Sequence, residues 1–145
     1  MAMKKLKSVD YLVVHCSATT PSMDIGKEEI DRWHRKRKML MIGYHYVIRR
    51  DGVLEEGREL DEMGAHVRGW NDVSIGICMA GGIDENGRPE NNYTEEQFAC
   101  LRSVLYYLHN KNPKAIIQGH RDFPNVAKAC PCFDVKTWYA KAHSP

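Results

Sequence analysis

The chain has 145 residues, of which 43% are hydrophobic, and a formal net charge of +2 at pH 7. This size and composition are typical of one globular domain that buries roughly two-thirds of its unfolded surface in a single core. So weak a net charge gives no indication of a nucleic-acid partner. The first apolar run, Tyr11 to Val14, is far too short for a signal peptide or a membrane span.

The five cysteines do not form the even, closely spaced framework that small secreted domains use for disulfide bonds. We therefore expect reduced thiols and a chain that is synthesised in the cytoplasm without a signal peptide. We also expect a monomer with one domain over residues 1–145, in which residues 1–8 form a flexible N-terminal arm. Neither nucleic acid nor a membrane is expected as a partner.

The first predicted strand, Tyr11–Cys16, is rich in β-branched and aromatic residues and carries His15 near its end. A helix is predicted from Asp24 or Gly26 to Lys38. Acidic residues occupy its first turn and basic residues its last turn, which agrees with the helix dipole. The basic run is therefore interpreted as a solvated helix end rather than as a nucleic-acid patch.

A hairpin is predicted after this helix. Residues 43–50 are typical of a strand, Asp51-Gly52 is a strong turn signal, and Val53–Glu55 is predicted to return. The period of two places Tyr44 on the same face as the large apolar residues that alternate with it, and His45 on the opposite face. Tyr44 and His45 therefore cannot both point at one metal ion, and His45 is interpreted as a structural residue.

The second half of the chain interleaves strands with helices. Residues 57–71 are predicted to be a loop, and residues 73–80 alternate large and small side chains, as a central strand does when one face must admit a close neighbour. Three further elements follow: a helix from a capping box at Thr94–Gln97 to about Asn110, a strand at Ala115–Gln118, and a helix at 134–141. The pattern predicts a single α/β domain with a mixed central β-sheet flanked by helices.

Residues with useful chemistry lie at two strand ends and in one loop. His15 and His120 each stand where an apolar strand ends, and sites in open α/β sheets form at the carboxyl ends of strands. If those strands are neighbours, their imidazoles converge, and Cys130 on a proline-braced loop can fold back to supply a thiolate. Two histidines and one cysteine make a tetrahedral zinc shell with one open position, in which a water becomes nucleophilic near neutral pH.

The residues alone leave other interpretations open. A histidine at a strand end is more often a core or capping residue than a ligand, and the chain has neither an HExxH motif nor a CxxC pair. Cys132 offers a second candidate thiol two residues after Cys130. A cysteine hydrolase that uses Cys130 with His120 and Asp122 is a further hypothesis, and it would need no metal.

A set of ordered motifs extends from about residue 10 to residue 138. They are Val13-Val14-His15-Cys16-Ser17-Ala18-Thr19, Gly43-Tyr44-His45-Tyr46, Arg50-Asp51-Gly52, Gly64-Ala65-His66, Asn71, Ser74-Ile75-Gly76-Ile77-Cys78, Lys128-Ala129-Cys130-Pro131 and Phe133-Asp134. In this order and spacing the chain resembles the type-2 N-acetylmuramoyl-L-alanine amidases, and among them the small phage lysozymes that act as zinc amidases, the endolysins.

The resemblance implies a role for each matching residue. His15, His120 and Cys130 would hold one zinc ion per chain, and Tyr44 and Lys128 would be the catalytic pair. The implied reaction is hydrolysis of the amide between the lactyl group of N-acetylmuramic acid and L-alanine in peptidoglycan, which lyses the cell wall after the enzyme is released. Zinc and the ammonium would stabilise the oxyanion, and the phenol would hold or polarise the attacking water.

The same resemblance suggests a substrate-binding loop. His66, Trp70 and Asn71 offer an imidazole, a flat apolar surface and an amide, which suit contacts to a glycan or a stem peptide. Simple loop packing is the alternative for His66. One departure concerns Cys132, because the phage enzymes usually carry a small hydroxyl residue at that place. A non-catalytic peptidoglycan-recognition module of the same fold is the second functional hypothesis, although such modules commonly lack the cysteine ligand that Cys130 would provide.

Overall fold

Five strands form one sheet in the computed structural model, which describes residues 3–142. In chain order they are β1 (Tyr11–Cys16), β2 (Tyr46–Ile48), β3 (Leu54–Glu56), β4 (Ser74–Met79) and β5 (Ile116–Gly119). The order across the sheet is β3-β2-β4-β1-β5. Neighbouring strands are parallel except for β3, which is antiparallel to β2. The predicted mixed sheet is confirmed.

Three helices cover the sheet: α1 (Lys27–Lys36), α2 (Glu95–Lys111) and α3 (Val135–Ala142). The predicted capping box begins α2, because Gln97 N–H donates to Thr94 Oγ1 at 3.1 Å and Thr94 N–H donates to Gln97 Oε1 at 3.0 Å. Two short 3₁₀ turns lie at Asn71–Val73 and His120–Asp122. Within residues 3–142, no helix is both long enough and apolar enough to cross a membrane.

The alternation along β1 separates the two faces of the sheet. Leu12 and Val14 are fully buried and pack in the larger core with residues of α2 and α3. Val13 belongs to a smaller apolar cluster on the other face. His15 follows on that second face, which α1 and the connecting loops cover. The candidate metal ligand His15 therefore lies on the second face of the sheet.

The predicted strand over residues 43–50 is shorter in the structure. β2 begins at Tyr46, so Tyr44 lies before it and the period of two does not govern its direction. Tyr46 and Ile48 lie in the larger core, whereas Tyr44 packs against the cluster that contains Ile30 and Val47. The face predicted for Tyr44 is therefore wrong, and its ring lies on the same side of the sheet as His15.

His45 is fully buried beside β4. Its Nδ1 accepts the N–H of Gly76 at 3.0 Å, and its Nε2 lies 2.7 Å from the carbonyl oxygen of Glu62. Because Nδ1 is an acceptor, Nε2 carries the proton and donates. His45 thus joins a loop to the central strand, which is the structural role expected of it.

The segment that the sequence predicts to be a flexible arm, residues 1–8, has defined contacts at two positions, and its flexibility stays a prediction. Leu6 N–H donates to the carbonyl of Asp61 at 2.9 Å, and Lys7 N–H donates to the carbonyl of Asp72 at 2.9 Å. Leu6 also packs against the larger core. This segment is therefore attached to the loop that precedes β4, while residues 1 and 2 lie outside the described residues.

Candidate active site

Two histidines and one cysteine meet at the ends of β1 and β5. The parallel pairing of these strands places Val14 beside Gly119, so the residues that follow, His15 and His120, are also neighbours. Their ring centroids are 4.6 Å apart. The candidate ligand atoms of His15, His120 and Cys130 all lie within 4.8 Å of one another. The predicted convergence is confirmed, and Cys130 rather than Cys132 belongs to the group.

Two backbone N–H groups hold Cys130, one at its sulfur and one at its carbonyl oxygen. Cys16 N–H donates to Cys130 Sγ at 3.1 Å, and Arg121 N–H donates to the Cys130 carbonyl at 2.9 Å. The loop is thereby tied to the end of β1 and to the turn that carries His120. An amide donor to sulfur favours the thiolate, which is the form that binds metals.

A chain of hydrogen bonds behind His15 fixes the proton positions of the candidate site. Ser74 Oγ lies 2.7 Å from the carbonyl oxygen of Trp70, to which it can only donate, and 3.2 Å from His66 Nε2. With its proton used, Ser74 Oγ accepts from His66 Nε2–H, which leaves His66 Nδ1 as an acceptor. His15 Nε2 lies 2.8 Å from that Nδ1 and therefore donates to it. The lone pair of His15 is then on Nδ1.

This arrangement matches the usual environment of a metal-binding histidine. Such a histidine donates its second ring N–H to a fixed acceptor, which sets its tautomer and orientation. Here the acceptor is His66, which Ser74 holds in place. His15 Nδ1 is consequently the nitrogen that is available to a cation.

Gly76 explains how His66 comes so close to the central strand. A Cβ atom at this position would lie 2.6 Å from His66 Nδ1 and 2.7 Å from its Cγ. The alternation of large and small residues in β4 therefore does admit a close neighbour, as the sequence predicted. That neighbour is a histidine ring, a feature that sequence reasoning missed, although the small residues Ser74 and Gly76 were the available signal.

The three residues predicted to bind substrate have well-defined contacts in the structure. Both ring nitrogens of His66 are used, by His15 and by Ser74. Asn71 Oδ1 accepts the backbone N–H groups of His66 and Val67, each at 2.8 Å. Trp70 packs edge-on against Tyr11 at 5.4 Å. These contacts order the loop, and the predicted contacts to substrate remain a prediction.

A cleft with a volume of about 900 Å³ opens above the candidate ligands. Tyr44 and Lys128 both line it, as do Trp33 of α1 and the cationic side chains of Arg37 and Arg68. The ring of Tyr44 lies 5.0 Å from that of His15, measured between centroids. The two residues predicted as the catalytic pair therefore face the same space as the three candidate ligands.

Burial sets the protonation of the groups around the cleft. It lowers the pKa values of His15 and His66 well below the ordinary value, with a further contribution from neighbouring histidines. The pKa of His120 is also lowered, by burial and by the charge of Lys128. Burial raises the pKa of Tyr44 well above 10, so its phenol keeps its proton. The imidazoles are therefore neutral, as metal ligands must be.

The two thiols at the back of the cleft share a hydrogen bond. That bond to Cys130 lowers the pKa of Cys16 to about 6 and raises the pKa of Cys130, to which burial also contributes.

The contacts of Asp122 bear on the cysteine-hydrolase hypothesis. Its Oδ2 accepts the backbone N–H of Gly119 at 2.9 Å. A Cys–His hydrolase needs a third group that orients the imidazole, and this contact directs Asp122 to the backbone instead of to His120. The arrangement favours metal binding over a cysteine nucleophile.

A family model described as N-acetylmuramoyl-L-alanine amidase matches residues 5–133 of the chain. The endolysin of Enterobacteria phage K11 is 46% identical over 134 residues, which are 92% of this chain and 87% of the relative. The endolysin of Escherichia phage T7 is 44% identical over 138 residues, which are 95% of this chain and 90% of the relative.

Solved structures show the same architecture. The amidase LysCS from Clostridium intestinale has a TM-score of 0.82 and 25% identity, and the match covers 100% of this chain and 90% of that one. Drosophila PGRP-LB has a TM-score of 0.77 at 20% identity, with 99% and 85% of the two chains covered. At that identity the second likeness shows the fold alone.

Proposed function

Because the chain belongs to the N-acetylmuramoyl-L-alanine amidase family, we propose that it hydrolyses the amide between the lactyl group of N-acetylmuramic acid and L-alanine in peptidoglycan, using one zinc ion. Its relatives identify it more coarsely as an amide hydrolase of the endolysin type. The observation that carries the zinc proposal is the convergence of His15, His120 and Cys130 within 4.8 Å. These three residues would hold the ion.

The donor set fits zinc on chemical grounds. Two neutral imidazoles and one thiolate are ligands that zinc prefers, and three protein ligands leave one coordination position open. The hydrogen bonds behind His15 leave its Nδ1 free to coordinate. Cys130 would bind the ion as a thiolate, since a coordinating thiol loses its proton outright.

Zinc supplies Lewis-acid chemistry when it is bound, polarising an amide carbonyl and making a water acidic enough to attack at neutral pH. The remaining steps belong to the protein. Tyr44 keeps its phenolic proton, so it can donate a hydrogen bond that positions the water or the substrate in the cleft. The ammonium group of Lys128, which lines the same cleft, is suited to stabilise the negative charge that develops on the carbonyl oxygen.

His66 is proposed as a positioning residue of this site. It makes the 2.8 Å hydrogen bond to His15, and Ser74 and Gly76 determine where its ring lies. Mutation of a residue that orients a metal-binding histidine in this way typically lowers metal affinity or activity by roughly 10- to 100-fold.

One chain supplies every residue of the proposed site, so we propose that the enzyme acts as a monomer. Its substrate would be a glycan strand with its stem peptide, bound along the cleft. The endolysin relatives favour action on the cell wall after release of the enzyme.

Metal analysis of the purified protein, combined with mass spectrometry of digested peptidoglycan, tests the proposal. We expect about one zinc per chain, loss of lytic activity in a chelator, and recovery when zinc is restored. The released fragments should end in a free lactyl carboxyl group and a free L-alanine amine. A metal-free preparation that still hydrolyses this bond would exclude the zinc proposal, and tight peptidoglycan binding without turnover would indicate a recognition module.

A further inference from the structure

Three sulfur atoms lie close together at the end of β1, although zinc needs only one of them. The Cys16 thiol is in hydrogen-bonding contact with the thiols of both Cys130 and Cys132. Within residues 3–142, the sulfur that lies close enough to His15 and His120 to share a metal ion with them is that of Cys130, and not those of Cys16 and Cys132. Cys16 and Cys132 are therefore a contacting pair of thiols without a part in the proposed metal site.

Cys16 and Cys132 have Gly82 as a common neighbour. Cys132 Sγ donates to the Gly82 carbonyl at 3.2 Å. A Cβ atom built on Gly82 would lie 2.8 Å from both Cβ and Sγ of Cys16. The two side chains thus both contact the same glycine.

The backbone around Cys132 holds its thiol in this place. Cys132 has φ +74°, a left-handed conformation that a residue with a side chain adopts only when its surroundings impose it. Its N–H donates to the Ala129 carbonyl at 2.6 Å. The adjoining Pro131 carbonyl accepts the hydroxyl of Tyr93, also at 2.6 Å. The direction of the Cys132 side chain is therefore set by the loop.

From these contacts we propose that Cys16 and Cys132 form a disulfide under oxidising conditions, which joins the end of β1 to the Cys130 loop and leaves Cys130 free to hold the metal. That Cys130 is occupied by zinc rests on the proposed function. A metal-bound thiolate is shielded from exchange, and this directs the oxidation to the other two sulfurs.

The access of solvent determines the order of the reaction with a low-molecular-weight disulfide such as oxidised glutathione. Cys16 lines the cleft, so its sulfur attacks first after losing its proton, breaks the S–S bond and releases one glutathione. Cys132 then loses its proton, attacks the Cys16 sulfur of the mixed disulfide and releases the second glutathione. Two protein thiols are oxidised, and one glutathione disulfide is reduced to two thiols.

The disulfide is expected to restrict the relative movement of the elements that carry the metal ligands. The cross-link would connect the strand that carries His15 with the loop that carries Cys130, and it encloses more than a hundred residues of chain. A disulfide that closes so long a loop restricts the unfolded state strongly, so the midpoint of thermal unfolding should rise by roughly 5–10 °C.

The test uses the zinc-loaded full-length chain, with its zinc content measured beforehand. After incubation with oxidised glutathione and trapping of free thiols, peptide mapping should find Cys16 joined to Cys132, with zinc retained and a higher unfolding midpoint. Cys132→Ser should instead accumulate glutathione on Cys16 and show no rise. Cys100→Ser, which changes a half-buried cysteine of α2, should behave as the wild type does.

Three results would overturn the proposal: a cross-link that contains Cys130, a persistent mixed disulfide at Cys16 in the wild type, or an unchanged unfolding midpoint after cross-linking. A chain that contains no zinc before oxidation would contradict the proposed function instead. The zinc measurement and the cross-link map therefore distinguish the failure of one proposal from the failure of the other.

Discussion

Replacing Gly76 by alanine tests whether His66 supports the metal site, without altering a candidate ligand. The new methyl group would lie 2.6 Å from His66 Nδ1. Ordinary van der Waals contact begins near 3.4 Å, so the imidazole ring of His66 must move away by about 0.8 Å to relieve the overlap. The hydrogen bond between His66 Nδ1 and His15 Nε2 is 2.8 Å long, and a shift of this size away from His15 takes it beyond useful length.

The expected result is weaker zinc binding in a folded protein. Loss of a partner that orients a ligand costs roughly 10- to 100-fold in metal affinity, which corresponds to about 1.4–2.8 kcal/mol. The dissociation constant can be measured by competition with a chromophoric chelator. Thermal unfolding of the metal-free variant should be measured in parallel, because the methyl group also disturbs packing in β4.

Two further variants sharpen this test. Ser74→Ala removes the acceptor of His66 Nε2–H and should weaken zinc binding in the same direction. Ile77 lies on the opposite face of β4, in the larger core. Ile77→Val should lower the free energy of unfolding by about 0.5–1.5 kcal/mol while leaving the zinc dissociation constant unchanged. A folded Gly76→Ala variant that binds zinc as tightly as the wild type would refute the positioning role of His66.

Three other outcomes can be checked directly. Lys128→Ala and Tyr44→Phe should each retain zinc and the fold but lose on the order of a hundredfold or more in turnover, and a wild-type rate of peptidoglycan hydrolysis in either variant would show that its assigned role is wrong. Cys130→Ser should lose tight zinc binding and activity while Cys132→Ser retains both, and the reverse pattern would move the third ligand to Cys132. Burial lowers the pKa of His45 in the folded protein below its value in the unfolded chain, which is near 6.5. The neutral ring therefore stabilises the fold above about pH 6.5, and this contribution is lost as the pH falls. The free energy of unfolding of the metal-free chain should decline more steeply below about pH 6.5 than that of the His45→Gln variant.

The sequence by itself determined most of the regular structure, and its resemblance to the amidases singled out the three candidate ligands. β1 has the predicted bounds, and the capping box at Thr94 begins α2 as expected. These elements depend on local propensity and on periodic burial, which can be recognised along the chain. The convergence of His15 and His120 was predictable for a related reason, because parallel neighbouring strands bring their carboxyl ends to one edge.

Tertiary structure decided the side-chain partners. The side of the sheet that Tyr44 faces depends on where β2 begins, and the period of two does not hold for Tyr44, two residues before the strand. The hydrogen bond from His15 to His66 joins residues 51 positions apart, and it forms only because Gly76 leaves space for the ring. Likewise, Cys132 meets Cys16 because the loop after β5 folds back over the end of β1. Contacts of this kind depend on strand order and register, which no local pattern of residues contains.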